Sequence, residues 1–288
     1  GIIGRWAADA AGCGAVVHTI HGLAFTASTS ALVNGVYRWL ERRTAPKTTK
    51  IVCVADAMRE QWLAAGIGRP EQYVTIYSGM DTGAFINPPV SRQEVRRQLG
   101  IGADDVVVGT IARLFDLKGH EDLLALAPEF CRRFGRLRFL WVGDGTLRPS
   151  FERQIADMGL QDRFILTGLV PPSQIPQLAG AMDILVHPSR REGLARAVVQ
   201  GQLAGCPAIA YDIDGNREGI IDGTTGFVIR PFEVGELSSR LAVLLEDEAR
   251  RQAMGLAGRE FALGRFDTRV MVDALENLYQ QLLRRDHG

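Results

Sequence analysis

The sequence predicts an α/β protein made of parallel sheets, and three observations support this class. Short apolar runs rich in β-branched residues alternate with helical patterns along almost the whole chain. Such alternation is typical of parallel strands joined by covering helices. Hydrophobic residues make up 46% of the chain, which is enough to bury a substantial core. The length of 288 residues favours two domains.

The first 90 residues predict a small sheet of three strands. These strands lie at 16–20, 51–55 and 73–77, with helices at 28–43 and 57–65 between them. The run Asn87-Pro88-Pro89 then interrupts the pattern, because proline neither donates to a strand ladder nor continues a helix. We therefore place the domain boundary there and expect a partial Rossmann-like domain over residues 1–90.

The second part, residues 91–266, predicts a complete doubly wound sheet. Its six strands lie at 106–111, 137–142, 164–167, 184–187, 208–211 and 227–229. The last helix has an apolar stripe that includes Leu275, Leu278 and Leu282, so it needs a surface on which to dock.

Composition excludes several classes of protein. The 33 Lys and Arg balance the 33 Asp and Glu, so the chain lacks the general basic charge of a nucleic-acid binder. No apolar run reaches the roughly 20 residues that span a bilayer, and residues 1–14 do not resemble a signal peptide, which predicts a cytoplasmic location. The four cysteines are far apart and indicate neither a zinc site nor a disulfide framework.

The segment after the strand at 106–111 carries two cations near a helix start. Ligands of open α/β sheets bind beyond the carboxyl ends of the strands, so Arg113 and Lys118 lie where a ligand is expected. Backbone N–H groups and the helix dipole favour an anion there, and the two charges suit a diphosphate. Spacing alone equally allows a surface Arg and Lys that frame a loop.

The turn Gly143-Asp144-Gly145 is a weak dinucleotide signature. Arg148 replaces the third glycine of G-x-G-x-x-G, and no acidic residue ends the strand at 164–167 to hold an adenosine ribose. The sequence therefore argues against a nicotinamide-dependent enzyme. We interpret these glycines as a plain turn between a strand and a helix.

The segment after the strand at 184–187 combines a carboxylate with a second helix start. Glu192 is placed to accept hydrogen bonds from sugar hydroxyls, while Gly193 and Leu194 offer backbone N–H groups. Gln200 lies about one turn inside the helix that follows. An acid that only satisfies the helix dipole explains Glu192 equally well.

Further segments complete a pattern that covers essentially the whole chain. They are HTIHG (18–22), SGMDT (78–82) with Phe85, HPS (187–189), REGL (191–194), Cys206-Pro207, DGNRE (214–218) and DGTTG (222–226). Together with 113–120 and 143–145, they resemble the family 4 glycosyltransferases of the GT-B fold, and among these the bacterial surface-polysaccharide transferases.

The resemblance implies a fold and a reaction. It implies two facing Rossmann-like domains, the first binding the acceptor and the second the nucleotide-sugar donor, with residues 267–288 as a helix that crosses back to the first domain. The implied reaction is sugar transfer with retention, from a UDP-linked sugar to a saccharide or lipid-linked acceptor. Neither a cofactor nor an essential metal is implied.

The resemblance also assigns roles to particular residues. Arg113 and Lys118 match positions that bind the donor diphosphate, and Glu192 matches one that contacts the transferred sugar. Gly193, Leu194 and Ala195 match the loop amides of the donor site. His21 matches a histidine near the reacting centre, and the alternative for it is a structural histidine at a strand end.

The chain departs from the family in two respects. Family members usually carry a second Glu eight positions after the first, for the ribose hydroxyls, and Gln200 stands there in this chain. Its amide oxygen still accepts a hydrogen bond but carries no charge. In addition, the family's first domain normally begins with further strands and a Gly-rich loop, and we expect this chain to lack them.

The helix at 28–43 has an apolar face with Leu32, Val33 and Val36 and basic residues elsewhere. This pattern suits an anionic lipid surface, which predicts peripheral membrane contact at the inner face. It equally suits packing of the apolar face on the core with a solvated basic face, and we favour core packing.

A retaining glycosyltransferase is therefore the leading hypothesis. Two alternatives remain open. One is a GT-B nucleotide-sugar epimerase, and the other is a degenerate sugar-nucleotide binding protein, which Gln200 and the expected lack of the first strands both suggest. No pair of carboxylates is spaced as the acid and base of a glycoside hydrolase.

Overall fold

The computed structural model describes residues 1–22, 25 and 30–285. The chain divides into two compact units, one made of Gly1–Met80 with Thr268–Gly288 and the other of Asp81–Asp267. The predicted strands are present: four of the nine have the predicted bounds, four lose one or two residues at an end, and the last gains one residue. Residues 28 and 29 of the helix predicted at 28–43 lie outside the described residues.

The paired strands of the described residues are all parallel, and in this part of the chain they form one sheet in each unit. The first sheet has the order β1-β2-β3, and the second has the order β6-β5-β4-β7-β8-β9. The strands are β1 (Val17–Ile20), β2 (Lys50–Cys53), β3 (Tyr73–Thr75), β4 (Val106–Ile111), β5 (Leu137–Val142), β6 (Phe164–Leu166), β7 (Ile184–His187), β8 (Ala208–Tyr211) and β9 (Gly226–Ile229).

Helices connect these strands and cover both faces of the second sheet. They are α1 (Ile2–Ala10), α2 (Ala31–Thr44), α3 (Asp56–Ala64), α4 (Gly83–Ile86), α5 (Arg92–Gln98), α6 (His120–Arg133), α7 (Arg148–Asp157), α8 (Ile175–Gly180), α9 (Arg196–Leu203), α10 (Asn216–Gly219), α11 (Val234–Glu246), α12 (Glu248–Phe266) and α13 (Thr268–Arg285).

The second sheet is buried on both faces. Successive side chains of a strand point to opposite faces, and they join different apolar clusters here. Val108 and Phe139 belong to one cluster, and Val107 and Leu140 belong to the other. The strands of this unit are therefore apolar at almost every position, as expected for a parallel sheet covered by helices on both sides.

The first unit gains part of its core from the end of the chain. Leu278 and Leu282 of α13 are buried in a cluster with Val52 and Ile76. These leucines belong to the apolar stripe found in the sequence, and the sheet of the first unit supplies the surface on which they dock.

The expectation that the apolar face of α2 packs on the core is wrong. Leu32 is 80% exposed and Val36 is 50% exposed, whereas the buried residues of this helix are Glu41 and Thr44. Hydrophobic periodicity shows which face of a helix is apolar but not what covers that face.

Among the helices of the described residues, none has the length and apolar character needed to cross a membrane.

Candidate functional site

The strand order of the second sheet places a topological switch point at the carboxyl ends of β4 and β7. From β4 the chain proceeds through β5 to β6 on one side, and it then returns to β7, which pairs with β4 on the other side. The loops after β4 and β7 therefore leave the sheet in different directions. Such a switch point is where open α/β sheets bind ligands.

Lys118 and Glu192 meet at this switch point, although they are 74 residues apart in sequence. The Lys118 Nζ lies 2.5 Å from Glu192 Oε1, and the two side chains are 23% and 15% exposed. Lys118 follows β4, and Glu192 follows β7. The two candidate residues that the sequence assigned to different parts of a ligand thus form one ion pair.

Two further groups hold Glu192 in place. His187, the buried last residue of β7, has its Nε2 at 2.9 Å from the same Glu192 Oε1. The backbone N–H of Glu192 donates to Asp214 Oδ2 at 2.9 Å. Burial by itself raises the pKa of the Glu192 carboxyl, but the hydrogen bond and charge of His187 and the charge of Lys118 outweigh burial and lower it to about 2. Glu192 is therefore a carboxylate at neutral pH.

The two loops touch through their backbones at Gly119. This residue begins α6 in a left-handed conformation with φ of 72°, and a Cβ there would lie 2.0 Å from the Pro188 carbonyl oxygen. Hydrogen bonds reinforce the contact, because the Arg190 N–H and the Ser189 Oγ both donate to the Leu117 carbonyl. Glycine is the residue that satisfies both the close approach and the positive φ.

A partly buried polar cluster anchors the loop after β7 to α6. The Arg190 guanidinium pairs with Asp122 at 2.9 Å and with Glu121 at 3.0 Å. Tyr211, at the end of β8, donates its hydroxyl to Asp122 Oδ2 at 2.8 Å. Because these partners come from α6 and β8, they fix the loop between two elements of the sheet edge.

Arg113 lies on the surface at the start of the loop after β4. Its guanidinium lies 4.9 Å from the centre of the Phe115 ring, and within the described part of the chain it makes no ion pair. Leu114 next to it is fully buried, which fixes the backbone from which Arg113 projects. Arg113 therefore presents a positive charge that no carboxylate of the described residues neutralises.

The glycines after β5 serve packing between loops. A Cβ at Gly143 would lie 2.2 Å from the Ala112 carbonyl oxygen, and one at Gly145 would lie 2.3 Å from that of Leu114. The Leu114 N–H donates to the Asp144 carbonyl at 3.0 Å. This turn thus supports the loop that carries Arg113, which agrees with its interpretation as a structural turn.

The loop that leads into α9 presents free backbone donors. The N–H groups of Gly193, Leu194 and Ala195 have no acceptor among the described residues, and no side chain caps the helix. Gln200 lies on α9 with a partly exposed side chain that makes no hydrogen bond within the described residues. Unpaired N–H groups at a helix start favour an anion or a hydroxyl oxygen.

The structure brings some of the predicted site residues together and places another one elsewhere. Lys118 and Glu192 are brought together, whereas His21 lies in the first unit, directly after β1, with an exposed side chain. The role of His21 at a reacting centre stays a prediction. Sequence reasoning assigned no role to His187 or Asp214, although both stand at the carboxyl ends of strands next to the switch point. That position is the signal that could have found them.

The described residues contain no group of three or more His, Cys, Asp or Glu side chains placed to hold a metal ion. The expectation of a metal-independent reaction stays a prediction.

Comparison with known proteins gives two family matches and several relatives. Residues 91–261 match the family described as "Glycosyl transferases group 1", and residues 1–84 match "Glycosyltransferase Family 4". Alpha-D-kanosaminyltransferase of Streptomyces kanamyceticus is 27% identical over 86% of this chain, and the match spans 64% of that protein's length. The Escherichia coli UDP-Gal:alpha-D-GlcNAc-diphosphoundecaprenol alpha-1,3-galactosyltransferase is 29% identical, over 97% of this chain and 72% of its own length.

Similar solved structures cover nearly the whole chain. Anabaena Alr3699/HepE in complex with UDP has a TM-score of 0.86 and 25% identity, covering 97% of this chain and 76% of its own. The same protein in complex with UDP-glucose has a TM-score of 0.84 and 26% identity.

Proposed function

Because this chain belongs to the group 1 glycosyl transferases, we propose that it transfers a sugar from a UDP-linked donor with retention of configuration. The family matches and the similar structures confirm the predicted family 4 assignment and GT-B fold. One observation carries the proposal: the Lys118–Glu192 ion pair lies at the switch point of the second sheet, and the loop that carries Glu192 presents three amides that have no acceptor among the described residues.

The donor diphosphate is the group that these charges suit. Arg113 supplies a guanidinium without a carboxylate partner in the described chain, and guanidinium binds phosphate oxygens through two parallel hydrogen bonds. Lys118 adds a second charge, and the start of α9 adds oriented N–H groups. As the bond between the anomeric carbon and the phosphate oxygen breaks, charge develops on the diphosphate, and fixed positive groups stabilise it.

Glu192 is suited to the transferred sugar. It is ionised at neutral pH and mostly buried, so it accepts hydrogen bonds from sugar hydroxyls strongly. Its ion pair with Lys118 couples the sugar end of the donor to the phosphate end. The amides of Gly193 and Leu194 complete the polar edge of this site.

Relatives support the choice of donor and acceptor class. Anabaena HepE is described in complex with UDP and with UDP-glucose. The Escherichia coli relative is named for a UDP-Gal donor and a diphosphoundecaprenol acceptor. We infer a UDP-sugar donor and a saccharide or lipid-linked acceptor for this chain.

Peripheral membrane contact through α2 belongs to the same proposal. This helix exposes Leu32, Val36 and Trp39 together with the basic residues Arg38 and Arg43. An apolar face flanked by basic residues binds anionic lipid surfaces. Co-sedimentation with phosphatidylglycerol vesicles, and its loss in Leu32→Glu, tests the contact, and equal sedimentation with phosphatidylcholine would contradict the role of charge.

Calorimetry and product analysis test the main proposal. We expect the chain to bind UDP and UDP-glucose, and Arg113→Ala to weaken the binding of both. Incubation with a UDP-sugar and a hydroxyl acceptor should release UDP and give a glycoside with the donor's anomeric configuration, which NMR coupling constants report. An inverted glycoside would exclude retention, and tighter binding of GDP than of UDP would exclude the UDP assignment.

The same assay separates the two alternatives. An epimerised donor that forms without acceptor would identify an epimerase. Binding without any turnover would favour a sugar-nucleotide binding protein, an alternative motivated by the uncharged Gln200 on α9.

A further inference from the structure

His187 is a buried residue that contacts one of the two carboxylate oxygens of Glu192. It is 2% exposed, and its Nε2 lies 2.9 Å from Glu192 Oε1. Lys118 Nζ lies 2.5 Å from the same oxygen, so two donors converge on Oε1. The other carboxylate oxygen, Oε2, has no hydrogen-bond partner within the described residues.

We propose that His187 is a positioning residue that orients the Glu192 carboxylate, so that Oε2 is the oxygen presented to the transferred sugar. This inference rests on the proposed function, because it takes Glu192 to contact the sugar. His187 itself acts through Glu192 and touches no part of the donor.

The hydrogen-bond inventory of His187 determines its tautomer. Nε2 faces a carboxylate oxygen, which only accepts, so Nε2 carries the proton. Nδ1 is buried and has no partner within the described residues, so no acceptor there competes for the proton. The surroundings therefore favour a proton on Nε2, both in the neutral ring and in the imidazolium.

Lys118 alone does not orient the carboxylate. An ammonium group at the end of a flexible side chain attracts a carboxylate from many directions, whereas a ring N–H directs its hydrogen bond along one line. His187 is also held more firmly, because it ends a buried strand and its ring is almost fully enclosed. When a diphosphate shares the charge of Lys118, His187 continues to hold Oε1.

Two variants of similar size test this role. His187→Phe keeps a buried ring and removes the donor, whereas His187→Gln places an amide N–H near the position of Nε2. Calorimetry measures the dissociation constants for UDP and for UDP-glucose in each variant, and thermal unfolding confirms that each is folded.

The expected result is selective for the sugar. His187→Phe should lower the preference for UDP-glucose over UDP by about tenfold while the affinity for UDP changes less than about twofold, since one charge-assisted hydrogen bond contributes of this order. His187→Gln should restore most of the preference. Equal loss of UDP and UDP-glucose binding in both variants would show a merely structural role and overturn the proposal.

A measurement on the unmodified chain needs no ligand. Nitrogen-15 NMR of the histidine rings reports which nitrogen carries the proton, and we expect Nε2 for His187. A neutral ring with its proton on Nδ1 and none on Nε2 would overturn the positioning role whatever the chain binds. Absence of UDP and UDP-glucose binding together with an Nε2 proton would instead count against the UDP assignment, so the two failures are distinguishable.

Discussion

Replacing Gly119 by alanine should separate the two loops that form the candidate site. The Cα of Gly119 adopts φ of 72°, and a Cβ on it would lie 2.0 Å from the Pro188 carbonyl oxygen. Ordinary contacts of a Cβ begin at 3.4 Å, so the two backbones must move apart by more than 1 Å. The residues next to this contact are Lys118 and Ser189, so the movement acts directly on the ion pair with Glu192.

Gly159 provides a matched control for the strain of placing an alanine at a positive φ. It has φ of 67°, and a Cβ there would meet nothing within 4 Å. Both substitutions incur the left-handed strain of an L-residue, roughly 1–2 kcal/mol. Gly119→Ala adds the cost of overpacking, typically about 1–3 kcal/mol, which gives an expected loss of about 2–5 kcal/mol in the free energy of unfolding.

The assay compares both variants in urea unfolding and in sugar transfer. Gly159→Ala should retain full transfer activity, whereas Gly119→Ala should lose about a hundredfold, because misplacing a site by about 1 Å has effects of this size. If the two variants lose the same stability and the same activity, the close contact between Gly119 and Pro188 has no functional consequence and this reasoning is refuted.

Three further substitutions have distinct signatures. Arg113→Ala should weaken UDP binding by about 1.5–3 kcal/mol in calorimetry with little change in Tm, because the side chain is exposed, and unchanged affinity would contradict its role. Gln200→Glu should tighten UDP binding about fivefold and 2′-deoxy-UDP binding less, because a carboxylate accepts both ribose hydroxyls; equal gains would show that Gln200 does not face the ribose. Burial, and then the charges of His187 and Lys118, lower the pKa of His120 to about 3, so its neutral form stabilises the fold above pH 6.5 and this stability is lost as the pH falls towards 3. In that pH range, His120→Phe should reduce the slope of the free energy of unfolding against pH by up to about 1.4 kcal/mol per pH unit. If the free energies of unfolding of the two proteins change in parallel with pH, this prediction is contradicted.

The fold could be predicted because its determinants are local. The strands β4 and β5 are apolar at nearly every position, and each is followed by a helical pattern, so the parallel class follows from periodicity. Sheet order follows much less directly. No local pattern shows that β7 pairs with β4, yet this pairing creates the switch point.

The error at α2 has a related cause. Its period of 3.6 residues defines an apolar face correctly, but burial depends on other parts of the molecule. Glu41 is buried because it forms an ion pair with Arg5 of α1, and no feature of the α2 sequence announces that partner. The helix therefore buries a charged residue and exposes Leu32.

The candidate site shows the same limit in its charges. From sequence, Arg113 and Lys118 are equivalent cations in one loop, and Glu192 is an acid in another. Once β4 and β7 are neighbours, Lys118 is largely occupied by Glu192, while Arg113 has no carboxylate partner in the described chain. Under the proposed function the two cations therefore have different roles: Arg113 offers its whole charge to a phosphate, whereas Lys118 shares its charge between the diphosphate and the acid that we assign to the sugar. A nucleotide-sugar donor carries both a diphosphate and a sugar, so it is the ligand that would use both the cation Arg113 and the acid Glu192.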